Sequence, residues 1–441
     1  MESLISRAPP AYAGGSLRGS LGGSQADHLS RRTFLHGAAG VSALTLVGHL
    51  LARAGEDEPA RARSIILLWL AGGPSQLETF DPHPGSAIAG DTGAVDTPVR
   101  GIQLADGYRR LAEQMESLAI IRSVMSREGD HERGTYTVKT GYRPDPTVVH
   151  PSIGAICAHQ LPVGTTEVPR HISILPSPMP GRGGFLGDRF DAFQTGDPLN
   201  PVPDVASRVS PTRDAQRVRD LDVIERAFAR GRKDRAEATL HAATMQSART
   251  MMSSEQLRAF EVTREPDALR AAYGDTPFGR GCLAARRLIE VGVRCVEVTL
   301  DGWDSHVNNH TIHQGKAAIL DPAFSALIRD LKDRDLLSRT VVICAGEFGR
   351  TPTINRLAGR DHWPNGFSIV LAGGGLRRGV AIGSTDPEGR REPADPVPIA
   401  DIHATVLTAV GIDPRTLMTT PIGRTIRLSD GQPLRQLLRG V

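Results

Sequence analysis

Asp301-Gly302-Trp303-Asp304-Ser305-His306 sets a carboxylate, Asp304, two residues before an imidazole, His306. At the carboxyl end of a strand such a pair can face one cleft and hold a divalent cation. The same pair could also hydrogen-bond the backbone of an ordinary loop. A second cluster, Gly346-Glu347-Phe348-Gly349-Arg350-Thr351-Pro352, is followed by Asp361-His362-Trp363-Pro364. Two clusters favour one metal site built from Asp304, His306, Glu347 and His362, because a histidine beside a carboxylate is the usual pairing of ligand and orienting group. Arg350 or Arg133 could then hold an anion through two parallel hydrogen bonds. Trp303 and Trp363 fall within these clusters and fit either a shaped pocket or core packing.

Upstream, Gly72-Gly73-Pro74-Ser75-Gln76-Leu77-Glu78-Thr79-Phe80-Asp81 offers a hydroxyl and two carboxylates. Ser75 is a candidate nucleophile activated by the metal, and equally a candidate helix N-cap. His131 and His150 are lesser candidates that could be structural histidines. Gly373-Gly374-Gly375 could cradle an anion or simply mark a turn.

Chemistry of this kind needs a rigid frame. Ser64 to Ala71 is a continuous apolar run ending at Gly72-Gly73-Pro74, the pattern of a buried strand that stops in a tight loop. Similar runs recur at Leu118 to Val124, His171 to Leu175, Val293 to Leu300, Thr340 to Ala345 and Phe367 to Ala372, with helical patterns at Pro277 to Val291 and Pro322 to Leu336. Strands without polar alternation, separated by helices, predict an α/β fold: a mostly parallel central sheet flanked by helices on both faces. Ligands of such sheets gather beyond the carboxyl ends of the strands, where both clusters fall. Residues 210–273 are polar, Arg-rich and helical in period, which predicts a helical insertion with a solvated charged face.

Ser30-Arg31-Arg32-Thr33-Phe34-Leu35 precedes the apolar run Gly37 to Leu51 and the small-residue pattern Ala52-Arg53-Ala54, the order of a cleavable twin-arginine signal. The run is shorter than the roughly 20 residues that cross a bilayer, so no permanent membrane span is expected. This predicts a leader over 1–54, one α/β domain over 55–441, the twin-arginine translocation machinery as a partner, and a periplasmic or cell-envelope location. Removing 54 of 441 residues leaves 387, ample for a large core. The leader holds Arg7, Arg18, Arg31, Arg32 and Arg53 against Glu2 and Asp27, so its charge equals the +3 of the whole chain. The remainder is formally neutral and lacks the basic excess that nucleic-acid binding requires. Cys157, Cys282, Cys295 and Cys344 have no metal-type spacing and read as small core residues.

The stretches LAGGPSQLETFDP, RGTYTVKTGYRP, HPSIGAI, GWDSH, GEFGRTP, GRDHWP and LAGGG follow one another from about residue 64 to the C-terminus. Together they resemble the bacterial family known as domain of unknown function 1501, sulfatase-like members of the alkaline phosphatase superfamily. The resemblance implies a central sheet flanked by helices, metals at the strand ends and hydrolysis of phosphate or sulfate esters. It implies that Asp304 and His306 are a metal-binding pair, that Glu347 stands where phosphatases carry an Asp-His pair, that His362 is a further ligand, and that His403 belongs to a late element of the fold. Two departures stand out. Phosphatases and sulfatases carry a metal-binding Asp at the end of the first strand, where this chain has Gly72-Gly73, and no cysteine here begins the Cys-x-Pro/Ala-x-Arg motif of formylglycine sulfatases.

The leading expectation is an exported hydrolase in which a divalent metal, with zinc among the candidates, activates Ser75 or a water against a small-molecule or polymer-borne ester. A weaker variant is a carbohydrate-processing enzyme whose cleft is shaped by residues 210–273. The alternative is an envelope binding or structural protein that keeps the fold without the chemistry.

Overall fold

The computed structural model describes residues 62–232, 240–389 and 391–439. The twin-arginine segment and its cleavage pattern lie outside the described residues. From residue 62 onward the chain falls in one compact unit, and no helix among the described residues is long and apolar enough to cross a membrane.

Nine strands make the central sheet: β1 Ser64–Leu70, β2 Leu118–Met125, β3 His171–Ile174, β4 Phe193–Thr195, β5 Cys295–Leu300, β6 Thr340–Ala345, β7 Phe367–Gly373, β8 Val380–Ile382 and β9 Val397–Pro398. Their spatial order is β8-β2-β7-β6-β1-β5-β3-β4, with β9 also beside β2. Only β7 runs against the rest, antiparallel to both β6 and β2. The long apolar runs of the sequence are the long strands. The two or three residues of β4, β8 and β9 are too short to leave a pattern.

Alternate side chains of each central strand enter different cores, which explains the missing polar alternation. Ile66, Leu68 and Leu70 of β1 join Val342 and Cys344 of β6 in one core. Ile65, Leu67 and Trp69 join Val341, Ile343 and Ala345 in the other. The first core is closed by helices Pro277–Glu290 and Asn309–Asp333 through Phe278, Leu288, Phe324 and Leu327. The second is closed by Ile153–Gln160 and Ile399–Ala409 through Ile156, Ile402 and Val406. All four cysteines are buried and free.

One helix begins earlier than expected. It starts at Asn309 and carries Pro322 in its interior, and the preceding carboxylate, Asp321, accepts from the amides of Arg110 and Leu111 and ties that turn to its neighbour. The polar stretch after residue 210 is helical: Pro211–Ala229 buries no residue and His241–Ser253 buries only Met251.

Candidate metal centre

Four strand ends and one strand start meet at the carboxyl edge. Because β7 runs backwards, the segment before it, which holds His362, lies at the edge that the other strands leave. The Gly373-Gly374-Gly375 run is thereby sent to the opposite edge, where a Cβ on Gly373 would collide with the Thr340 carbonyl and one on Gly374 with that of Ser338. These glycines permit close packing against those carbonyls at the edge away from the histidine cluster.

His131 enters at the first position of helix His131–Thr140, which follows β2. The Asp130 side chain caps that helix by accepting from the Arg133 amide at 3.0 Å. Asp304 and His306 follow β5, and the buried indole of Trp303 anchors their loop in the core. Glu347 follows β6. A two-residue antiparallel ribbon pairs Arg350 with His362 and Gly349 with Trp363, which draws the second histidine cluster back over the first.

The nitrogen and oxygen atoms of His131, Asp304 and His362 lie within 4.8 Å of one another. The Asp304 carboxylate is 3.4 Å from His131 Nε2, 3.2 Å from His306 Nε2 and 3.4 Å from His362 Nε2. Ligands about 2.1 Å from a tetrahedral ion stand roughly 3.4 Å apart, so these spacings suit one cation. The remaining ring nitrogens all meet acceptors: His131 Nδ1 reaches Glu347 Oε1 at 2.7 Å, His306 Nδ1 reaches Asp361 Oδ1 at 2.8 Å, and His362 Nδ1 reaches the Gly129 carbonyl at 2.8 Å. With an acceptor at each Nδ1, the Nε2 atoms are the ones turned towards Asp304 and free to serve as ligands. The Nε2 atoms of His306 and His362 lie 3.0 Å apart, close enough to share one cation.

Glu347 is buried and adds a further donor. Its Oε1 accepts from His131 and from the Gly72 amide at 2.8 Å, while Oε2 is buried without a hydrogen-bond partner. The first strand thus contributes an amide where the resembled enzymes carry an aspartate. No side chain fits there. Gly72 has φ +115, and a Cβ would press on the Asp304 amide and lie 2.8 Å from that of Trp303. Gly72→Ala should combine a backbone cost of at least about 1–2 kcal/mol with a displaced Asp304 loop. Lower thermal stability together with weaker metal uptake is expected, and a variant that melts and binds like the parent would contradict it.

Local electrostatics follow from these contacts. The Glu347 hydrogen bond raises the His131 pKa above its ordinary value. Partial burial raises that of Asp304, but the Arg350 guanidinium, 2.5 Å away, outweighs it and holds the carboxyl below the usual range. Burial lowers the pKa of His362, and the His306 hydrogen bond lowers that of Asp361.

Two expected roles change. Arg350 is fully buried and already committed: its Nε donates to the Gly73 carbonyl, one terminal nitrogen to the Arg360 carbonyl, and the other to Asp304 and the Gly72 carbonyl. With its fork occupied it positions Asp304 and cannot clamp an anion. Ser75 is 0 % exposed and sits in a series of turns, with no helix for it to cap. Its amide donates to His313 Nε2 at 2.8 Å, and its side chain lies in the buried surroundings of Glu78 together with Asn309. No hydrogen bond joins it to the histidine cluster, so the nucleophile placed on it has no support in this geometry.

The other candidates are structural. Arg133 is exposed and paired with Asp130. His150 stacks on Tyr142 at 4.2 Å. His403 is buried, bonds the Val138 carbonyl, and has its pKa lowered by burial to about 4. His131, a lesser candidate from the sequence, stands inside the cluster, placed by the helix that Asp130 caps and oriented by Glu347.

Residues 62–438 match the family described as "Protein of unknown function (DUF1501)". The chain belongs to this family. No curated protein sequence matches it. Among solved structures it is similar to the lipoteichoic acid synthase LtaP from Listeria monocytogenes, with 10% identity, a TM-score of 0.40, and 86% of this chain and 77% of that chain covered. It is also similar to the PsFucS1 sulfatase from Pseudoalteromonas sp. (10% identity, TM-score 0.39, 82% and 70% covered). A magnesium-bound mutant of TAB5 alkaline phosphatase is 12% identical, with a TM-score of 0.35 and 81% and 100% covered. Likenesses this distant carry no chemistry over to this DUF1501 protein.

Proposed function

We propose that this DUF1501 protein is a metal-dependent hydrolase of phosphate or sulfate esters. The observation that carries the reading is the convergence of three imidazoles on Asp304, whose carboxylate lies 3.2 to 3.4 Å from the Nε2 atoms of His131, His306 and His362 while each Nδ1 meets an acceptor. A donor set rich in imidazole suits a borderline cation such as zinc better than magnesium, which prefers oxygen. His131, Asp304, His306 and His362 would hold the ion, with Glu347 behind His131 as the acceptor that orients its ring. When bound, the ion supplies Lewis-acid polarisation of an ester and lowers the pKa of a water nucleophile.

The protein's own groups do the positioning. Glu347, Asp361 and the Gly129 carbonyl fix the three rings, and Arg350 holds Asp304 on its buried side. Asp304 and His306 stay nearly half exposed, which leaves one face open to a substrate. With the Ser75 hydroxyl fully buried, the reading takes a water as nucleophile. The test is turnover of aryl phosphates and sulfates by the zinc-loaded chain, with metal content measured in parallel. Stoichiometric metal with turnover supports the reading, and protein that takes up no metal after mild purification refutes it.

Metal affinity should also fall with pH. The proton that Glu347 favours on His131 must leave before Nε2 can act as a ligand, so affinity starts to drop above the ordinary histidine value near 6.5 and keeps falling as the solution is acidified. Calorimetric zinc titrations across pH 5 to 8 check this, and a flat profile would contradict it.

A second reading, a metal-binding envelope protein without turnover, is favoured by the commitment of Arg350 to the backbone and by the absence of a side chain at Gly72. Stoichiometric metal without ester turnover would select it. Either reading includes export through the Arg31-Arg32 leader, which a reporter fused after residue 54 would test by its location with and without the arginine pair.

A further inference from the structure

Helices Pro211–Ala229 and His241–Ser253 run side by side in opposite directions, since Arg249 meets Asp214 at 3.7 Å and His241 meets Glu225 at 2.6 Å. Met251 fixes one end of the pair in the first core. The other end is uncovered. Val223, Ile224 and Phe228 on the first helix are 59 %, 64 % and 49 % exposed, and Leu240 and Met245 at the start of the second are each 36 % exposed. Apolar residues exposed singly are ordinary, but five gathered at one end of a helix pair mark an interaction surface. The first helix buries no residue, so the core that stabilises the rest of the fold contributes little to it.

Basic side chains frame the same end. Residues 210–253 carry nine basic groups against six acidic ones, in a domain whose formal charge sums to zero. Arg226 pairs with Asp222, whereas Arg230 has no carboxylate partner among the described residues and the Arg232 guanidinium lies 5.3 Å over the Phe228 ring. Two-fold pairing with a second copy would set these arginines against themselves. A bilayer bearing anionic lipid offers hydrocarbon and negative charge together, which complements both features at once. We infer that this end of the helix pair rests on an anionic lipid surface, with Ile224 and Phe228 among the acyl chains and Arg230 and Arg232 against the phosphates. The contact lies on the membrane and does not cross it, since no helix among the described residues is long and apolar enough to span one. It is independent of the hydrolase reading.

Full-length protein carrying Phe228→Trp would be mixed with vesicles of phosphatidylglycerol or of phosphatidylcholine, each with brominated acyl chains that quench an indole on insertion. The parent, with Trp69 and Trp303 buried, is the blank. Because the readout sits at position 228, attachment through the apolar run Gly37 to Leu51 does not mimic it. Half-maximal quenching is expected at about tenfold less phosphatidylglycerol than phosphatidylcholine, each arginine contributing up to roughly fivefold. Arg230→Gln combined with Arg232→Gln should bring the two lipids close to equal. Ile224→Asp should abolish quenching and leave thermal melting unchanged, because the side chain it replaces is exposed. No quenching by phosphatidylglycerol, even where the chain sediments with the vesicles, would overturn the inference, and so would a lipid preference that the arginine variants leave unmoved. Concentration-dependent dimers that Ile224→Asp dissolves, without quenching by either lipid, would overturn it in favour of a second copy.

Discussion

Asp304→Ala is expected to leave the protein without bound divalent metal. Its carboxylate is the only group in the cluster within reach of all three Nε2 atoms, at 3.2 to 3.4 Å. Among the described residues it is also the only negative charge bonded to the Arg350 guanidinium, so its loss leaves a buried cation beside three imidazoles. That local positive potential opposes a metal ion as strongly as the missing ligand does. Loss of an orienting partner alone typically costs 10–100-fold in affinity, so loss of this ligand should exceed about a hundredfold. Zinc titration of the variant, with circular dichroism to show that it folds, measures this directly. Affinity within tenfold of the parent would remove Asp304 from the site. Asp304→Asn separates the two contributions, since it keeps the shape and an acceptor while removing the charge.

The second large effect concerns the helix that presents His131. Eight residues after it, Lys139 is buried, donating to Glu297 Oε1 at 2.8 Å and to the Met179 carbonyl at 2.7 Å, with its ammonium 4.7 Å from the Trp69 ring. Glu297 sits on β5 and also accepts from Ser173 of β3 at 3.2 Å. Both charges are almost fully buried, with side chains 5% and 2% exposed. Lys139→Met strands the carboxylate inside the sheet, for an expected loss of about 3–5 kcal/mol. Adding Glu297→Leu removes the orphaned charge, and replacing both ends of such a pair by apolar groups is often close to neutral, so the double variant should recover most of the loss. Denaturant midpoints of the two variants check the pair, and a single variant as stable as the parent would contradict it. The helix packs closely at the site end too, where a Cβ on Gly134 would lie 3.2 Å from Glu347 and Phe348. Loosening its far end should therefore weaken metal binding in the single variant as well.

The two predictions probe different layers of one construction. Asp304 acts at the centre of charge, while Lys139 acts on the frame that keeps His131 facing it. Arg350 belongs to both, because it bonds the Gly72 and Gly73 carbonyls after β1, the Arg360 carbonyl and the Asp304 carboxylate. It therefore stitches the loops after three strands into one floor beneath the histidines.

The six longer strands of the sheet were legible in the chain because burial on both faces demands unbroken apolar runs, and β6 ran from Thr340 to Ala345 as its pattern indicated, whereas β4, β8 and β9 were too short to leave one. Asp304, His306, Glu347 and His362 could be picked out because acids and imidazoles following such runs must fall on the ligand-binding edge. What local pattern could not show was their pairing. His131 meets Glu347 across 216 positions and Arg350 meets Gly73 across 277, and hydrogen bonds of that span leave no periodicity. The same limit hid the burial of Ser75, whose neighbour His313 lies 238 positions away in a helix turn preceding Pro322. It also hid the reversal of β7, since an apolar run reads alike in both directions. Residue types and spacing determined which groups could bind a metal. Only tertiary packing decided which nitrogen of each imidazole would face it, because that choice belongs to the acceptor behind the ring.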